Sequence, residues 1–295
     1  MPKSLSRIVL GGSSLEKLSV CNLEEFLKKA FELGVREIDS APTYGDLENK
    51  LGQILGNDSG WILNSKISSR NHLDFPPEGI AQQVENSLSL LKRDRLGTIF
   101  VHSVPLSRFS DDVLSSMATL KRDELTNFLG FSSNSNIENL RFAVDMPIFD
   151  RFQVTCNILD QSNLDAIHNT PENAIYFKRV FGSGVLRKTF FDDLKLFTKI
   201  GLKLTNRYDL NDYHFRYWKM FGSFSNRKIL HQYFFDFVLS LGRLQHVIVG
   251  TTDYKHLHEL AQLEKHGNLL SSEELANLSH KFIELESHYG WTPFR

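Results

Sequence analysis

The sequence predicts a closed parallel (β/α)8 barrel, and three observations carry that reading. Short apolar runs of about five residues alternate with amphipathic helical stretches. The alternation can be counted eight times, and no Pro-, Gly- or Ser-rich linker divides the units. Such alternation implies a parallel sheet covered on both faces, and eight units in roughly 250 residues suit a closed barrel better than an open doubly wound sheet. The rival of two open-sheet domains lacks a G-x-G-x-x-G after the first strand; "LGGSS" is only a faint echo of it. Residues 1–295 are therefore expected to form one domain.

The elements follow in order. "RIVLGG" reads as a short buried strand and "NLEEFLKKAFELG" as a helix, with Leu23, Phe26, Leu27, Ala30 and Phe31 on one face, Asn22 as N-cap and Gly34 closing it with a positive φ. "VREIDSA" is the second strand, followed by a helix carrying Leu47, Leu51, Ile54 and Leu55. "WILNSK" leads to a helix around Val84, Leu88 and Leu91, "GTIFVHS" to one around Leu114, Met117 and Leu120, and "NFLGFS" to "NIENLRFAV". The last three pairs are "RFQVTCN" with "QSNLDAIHN", "AIYFKR" with the distant "KILHQYFFDFVLSLG", and "HVIVGTTD" with "YKHLHELAQLE".

Composition narrows the function. With 41% hydrophobic and 23% charged residues, the 295-residue chain can bury a substantial core. A formal net charge of −1 without long runs of one sign lacks the footprint of a nucleic-acid or membrane-surface binder. A small neutral or anionic ligand fits better. Cys21 and Cys156, far apart, give neither a disulfide framework nor a metal-ligand spacing. A polar N-terminus and the absence of a 20-residue apolar stretch point to a cytoplasmic protein with no membrane partner.

In such barrels the chemistry gathers at the C-terminal ends of the strands. Asp39 ends the second strand with Tyr44 just beyond it, Lys66 ends the third, and His102 ends the fourth. Neighbouring strands lie about 5 Å apart, so these side chains can meet. A lysine ammonium beside a tyrosine favours the phenolate and makes the hydroxyl a better general acid. An aspartate keeps the lysine charged and directed, and a histidine can donate to the same oxygen. The set can protonate a carbonyl oxygen and offers no obvious nucleophile, which disfavours covalent acyl or glycosyl transfer. Reduction then requires a hydride that no side chain supplies, which implies a nicotinamide cofactor.

The residues that carry a family resemblance are Gly34, "DSA" at 39–41, Tyr44-Gly45, Glu48 and Leu51-Gly52. In this order and spacing they resemble the signature of the aldo-keto reductases, over about residues 7–265. The resemblance implies a catalytic tetrad of Asp39, Tyr44, Lys66 and His102, with Tyr44 and His102 facing the substrate and Asp39 also beside the cofactor. It further implies NADPH or NADP as cofactor, with NADH as an alternative, and a small-molecule carbonyl substrate. Ser132 in "LGFSSNS" and Gln153 would hold the nicotinamide amide. "FGSGVL", with Ser183, Gly184 and Leu186, would approach the pyrophosphate, and Gly250, Thr251 and Thr252 the adenosine phosphate. The chain departs from the family pattern where the aromatic that stacks on nicotinamide becomes Lys178, the basic residue at the 2′-phosphate becomes His256, and the adenine-contacting Asn becomes Leu260. The aromatic-rich connection at 182–228 is expected either to wall the substrate pocket or to pack on itself across the mouth, and Trp291 in the tail is a candidate pocket residue. The alternative function is a cofactor-sensing regulatory protein on the same barrel with little turnover.

Overall fold

A computed structural model describes residues 5–57, 60–68, 75–102, 104, 106–133, 137–182, 213–221, 227–242 and 244–290. Eight parallel strands close into a barrel in sequence order: β1 Ile8–Gly11, β2 Glu37–Asp39, β3 Ile62–Ile67, β4 Leu96–His102, β5 Thr126–Ser132, β6 Arg151–Thr155, β7 Ile175–Lys178 and β8 His246–Val249. The seam is made by β1 on β8, with Leu10 opposite Val249.

The helices are α1 Val20–Glu32, α2 Leu47–Leu55, α3 Pro77–Leu91, α4 Asp111–Arg122, α5 Ile137–Asp145, α6 Tyr213–Phe221, α7 Arg227–Ser240, α8 Tyr254–His266 and α9 Ser272–Tyr289. A one-turn helix, Gly12–Leu15, follows β1. In α1 the buried face is Leu23, Phe26, Leu27 and Ala30, and Gly34 has φ 98° as expected. Two expectations for α1 need correction. The N-cap is Ser19, whose hydroxyl accepts from the Asn22 N–H, and Phe31 is exposed, lying against Trp61 under the Arg36 guanidinium.

The predicted helix after β6 is only a 3-10 turn, Asp165–Ile167. Short polar side chains hold the connection out of a helix: Asn157 Oδ1 accepts from the Leu159 N–H, Asp160 Oδ1 accepts from the Ser162 hydroxyl, and the Asn163 amide donates to the Thr155 carbonyl. Such local bonds give the backbone an alternative to helical pairing. Part of the 182–228 segment is described as α6, which buries Arg216 and Tyr217; Arg216 donates to the Leu159 carbonyl and Lys281 of α9 to that of Met220. This helix packs on the β6–β7 connection and α9. Its described residues do not line the mouth cavity.

The barrel interior explains how the site is placed. Side chains two apart on a strand share a face, about 6–7 Å apart along it. Glu37, Asn64, Thr98, Arg151, Tyr176 and His246 form an inward polar layer: Asn64 and Tyr176 donate to Glu37 Oε1 at 2.6 and 2.9 Å, Arg151 contacts Thr98 and Tyr176, and His246 stacks on Tyr176 with ring centroids 4.2 Å apart. Val9, Phe100, Tyr176 and Ile248 supply the apolar filling. A Cβ on Gly130 would stand 2.3 Å from the Phe100 ring, so only glycine leaves room for that ring inside. Two residues further along the same faces come Asp39, Lys66, Gln153 and Lys178, and Gly250 lies two beyond the inward Ile248. The packed layer thus forms the floor of the mouth.

Candidate active site

The mouth holds a cavity of about 450 Å³ whose wall includes Asp39, Tyr44, Lys66 and His102, together with Ser132, Gln153 and Lys178. The four residues predicted for proton transfer are therefore brought together. Lys66 Nζ lies 2.7 Å from Asp39 Oδ1 and donates to the Ser40 carbonyl at 2.8 Å; both charged side chains are buried. A pair so enclosed is maintained only by good geometry and further hydrogen bonds, which Ser40 and Gln153 supply. The ammonium sits 5.0 Å from the Tyr44 ring centre.

Tyr44 departs from the electrostatic expectation. Burial pushes its hydroxyl above the usual tyrosine value; Lys66 pulls it down, Asp39 pushes it up again, and the net direction is upward. The ammonium favours the phenolate by more than Asp39 opposes it, but loss of solvent around the ring outweighs that help. Tyr44 is thus a firmly protonated donor.

The residues expected around the cofactor fall into two groups. Ser132 and Gln153 are buried at the mouth: Ser132 Oγ accepts from Lys178 Nζ at 2.9 Å, and Gln153 Nε2 donates to Asp39 Oδ1 at 2.6 Å. Gly250 lines the same cavity, and its missing side chain gives Ser14 Oγ space 3.0 Å from where a Cβ would stand. Thr251 belongs to the second group; its hydroxyl accepts from the Asp253 N–H and faces His256 Nδ1 at 3.3 Å, while Thr252 is exposed. His256 lines a separate cavity of about 700 Å³ with His231, Asp253, Glu259 and Leu260. Burial lowers its pKa despite Glu259 and Asp253, so it is not a fixed cation. Phe181 joins the two spaces, since it lines the mouth and its ring lies 5.7 Å from that of His256. Ser183, Gly184, Leu186 and Trp291 lie outside the described residues.

Some wall residues were not foreseen. Gly11, Gly12 and Ser13 line the mouth, and a Cβ on Gly12 would meet the Asp39 carbonyl oxygen at 2.7 Å, which explains the paired glycines after β1. Arg179 also lines it, with a left-handed φ of 57°. The Lys-Arg pair at the end of β7 was the available signal.

A (β/α)8 barrel with this constellation at its C-terminal mouth defines a class of barrel oxidoreductases. The chain belongs to the Aldo/keto reductase family, whose model matches residues 7–282. Among curated proteins it is 26% identical to a D-arabinose 1-dehydrogenase of Saccharomyces cerevisiae over 144 residues, which is 44% of this chain and 43% of that protein. The match thus spans less than half of that relative's length. Among solved structures, an aldo-keto reductase from Pseudomonas aeruginosa aligns with TM-score 0.67 and 21% identity, over 89% of this chain and 91% of that one. An aldo-keto reductase from Klebsiella pneumoniae in complex with NADPH aligns with TM-score 0.64 and 19% identity, over 94% and 91%. Among the described residues no helix is long and apolar enough to cross a membrane.

Proposed function

We propose that this chain reduces an aldehyde or ketone to an alcohol with NADPH or NADH, and oxidises the alcohol in reverse. The observation that carries this reading is the convergence of Tyr44, His102 and the Lys66–Asp39 ion pair on one cavity at the barrel mouth. Family membership supports it, as does the NADPH complex of the Klebsiella protein.

The donor set fits a nicotinamide amide. Ser132 accepts from Lys178 and keeps its own hydroxyl proton for a carbonyl oxygen. Gln153 gives one N–H to Asp39 and keeps its side-chain carbonyl for an amide N–H. A bound nicotinamide nucleotide supplies the hydride that the side chains lack. The rest is the work of the chain. As negative charge develops on the substrate oxygen, the Tyr44 hydroxyl donates its proton there and His102 offers a second hydrogen bond. Lys66 stabilises the phenolate that remains, and Asp39 holds Lys66 in place. The polar, filled floor leaves the mouth as the route for water and substrate. A cytoplasmic location fits this cofactor use.

The test is NADPH and NADH oxidation against a panel of aldehydes, ketones and open-chain sugars. Turnover of any of these carbonyls supports the reading. Thermal stabilisation by the cofactor with no turnover would replace it by the cofactor sensor.

A further inference from the structure

Lys178 enters the scheme above only as the donor to Ser132 Oγ, and it stands in the same wall as the proton-transfer residues. It ends β7, two residues past the inward Tyr176, and its half-buried side chain reaches Ser132 Oγ at 2.9 Å. Among the described residues, the charged and titratable groups lining this cavity with it are Asp39 of β2, Tyr44 beyond it, Lys66 of β3, His102 of β4 and the adjacent Arg179. Asp39, the carboxylate among them, accepts from both Lys66 and Gln153. Among the described residues, Lys178 thus shares this wall with Lys66 and Arg179.

We propose that Lys178 is an amine nucleophile that captures small aldehydes as an imine when they enter the mouth without a nicotinamide nucleotide. Two features of the site support it. Burial first, then Arg179 and Lys66, lower the Lys178 pKa to about 7, with Asp39 opposing only in part. An ordinary lysine is neutral in about one molecule in a thousand near neutral pH, whereas this one is neutral in a large fraction. A desolvated lysine beside another cation is a recognised way of making an amine nucleophilic. Tyr44, moreover, stands in the same cavity as a protonated donor for the carbonyl oxygen.

The step balances without an outside oxidant or reductant. The amine lone pair forms the C–N bond while the carbonyl π pair moves to oxygen, which takes a proton from Tyr44. The nitrogen returns a proton to Tyr44. The C–O bond of the carbinolamine then breaks, the oxygen leaves as water carrying both hydrogens that the amine gave up, and the C=N bond remains.

The proposal rests on reading the cavity as a carbonyl site, but its test needs no nicotinamide. The full chain is incubated near pH 7 with propionaldehyde and cyanoborohydride, which fixes imines as secondary amines, and each lysine is followed by peptide mass analysis. Lys178 should be modified at least ~10-fold faster than the exposed Lys255, and the ratio should fall as pH rises toward 10 and surface lysines lose their protons. Lys178→Arg should remove the fast phase and leave the surface pattern unchanged. Modification of Lys178 no faster than Lys255, or a fast phase that maps to Lys66, overturns the proposal. Carbonyl reduction by NADPH alongside a slow Lys178 would sink this inference alone.

Discussion

The side-chain amide of Gln153 lies 2.6 Å from Asp39 Oδ1, the same oxygen that Lys66 approaches at 2.7 Å. A residue of β6 thus fixes the carboxylate of β2 from across the barrel, and with it the lysine behind Tyr44. In the proposed scheme Gln153 also holds the nicotinamide amide through its carbonyl oxygen. Gln153→Ala should weaken NADPH binding by about tenfold, the worth of one good hydrogen bond. Fluorescence titration with NADPH measures this, and an unchanged Kd would remove Gln153 from the cofactor site.

Tyr44→Phe keeps the ring beside Lys66 and removes the proton. Carbonyl reduction should fall by at least ~10²-fold with cofactor binding retained. Full activity in the variant would require another donor.

The upward shift of Tyr44 has a kinetic counterpart. Its hydroxyl stays protonated through the usual tyrosine value of about 10, so reduction should show no alkaline loss attributable to this group below that pH. A pH profile of kcat for reduction tests it. A descending limb centred near pH 8 that disappears in Tyr44→Phe would show that Lys66 prevails over burial after all.

The floor makes a prediction about stability. Burial pushes the Glu37 carboxyl up, but hydrogen bonds and charge from His246, with Asn64 and Tyr176, outweigh it and hold the pKa below 4.5. A carboxyl depressed in the folded state contributes stability above its unfolded value and loses it as pH falls through the folded one. Glu37→Gln should therefore be less stable than the parent at pH 7, and the gap in Tm should narrow and close as pH is taken well below the ordinary carboxylate range. A gap that persists there would mean that packing, not charge, carries the contribution.

Gly52 is fixed by the approach of two helices. A Cβ there would stand 2.0 Å from the Leu90 carbonyl oxygen on α3, so Gly52→Ala should cost about 1–3 kcal/mol in thermal or denaturant unfolding. A neutral substitution would show that α2 and α3 can separate without cost.

The strand count, the order of strands and the convergence of Asp39, Tyr44, Lys66 and His102 were legible because strand-end positions in a closed parallel barrel share one mouth. The weaker readings failed where tertiary context or local bonding decides. "QSNLDAIHN" has apolar residues at helical spacing, but its Asn and Asp side chains satisfy the backbone first. Phe31 sits at the margin of the apolar face of α1, where Arg36 and Trp61 cover it instead of the core. The direction of the Tyr44 shift depends on how deeply the ring is buried and how fully Asp39 answers Lys66, neither of which spacing reveals. Lys178 was visible as a missing aromatic, but its reach to Ser132 required the β5–β7 geometry.

The seam between β1 and β8 has a consequence for synthesis. The first strand of the ring waits for the last: Ile8, Val9 and Leu10 pair with Val247, Ile248 and Val249, more than two hundred residues downstream. Pairings of such sequence separation form slowly, because the intervening chain must be closed before the contact is rewarded. A nascent chain carries all four tetrad residues by the time His102 has emerged, yet the ring that seats them still has two open edges until β8 leaves the ribosome. Those edges are exposed to other chains throughout.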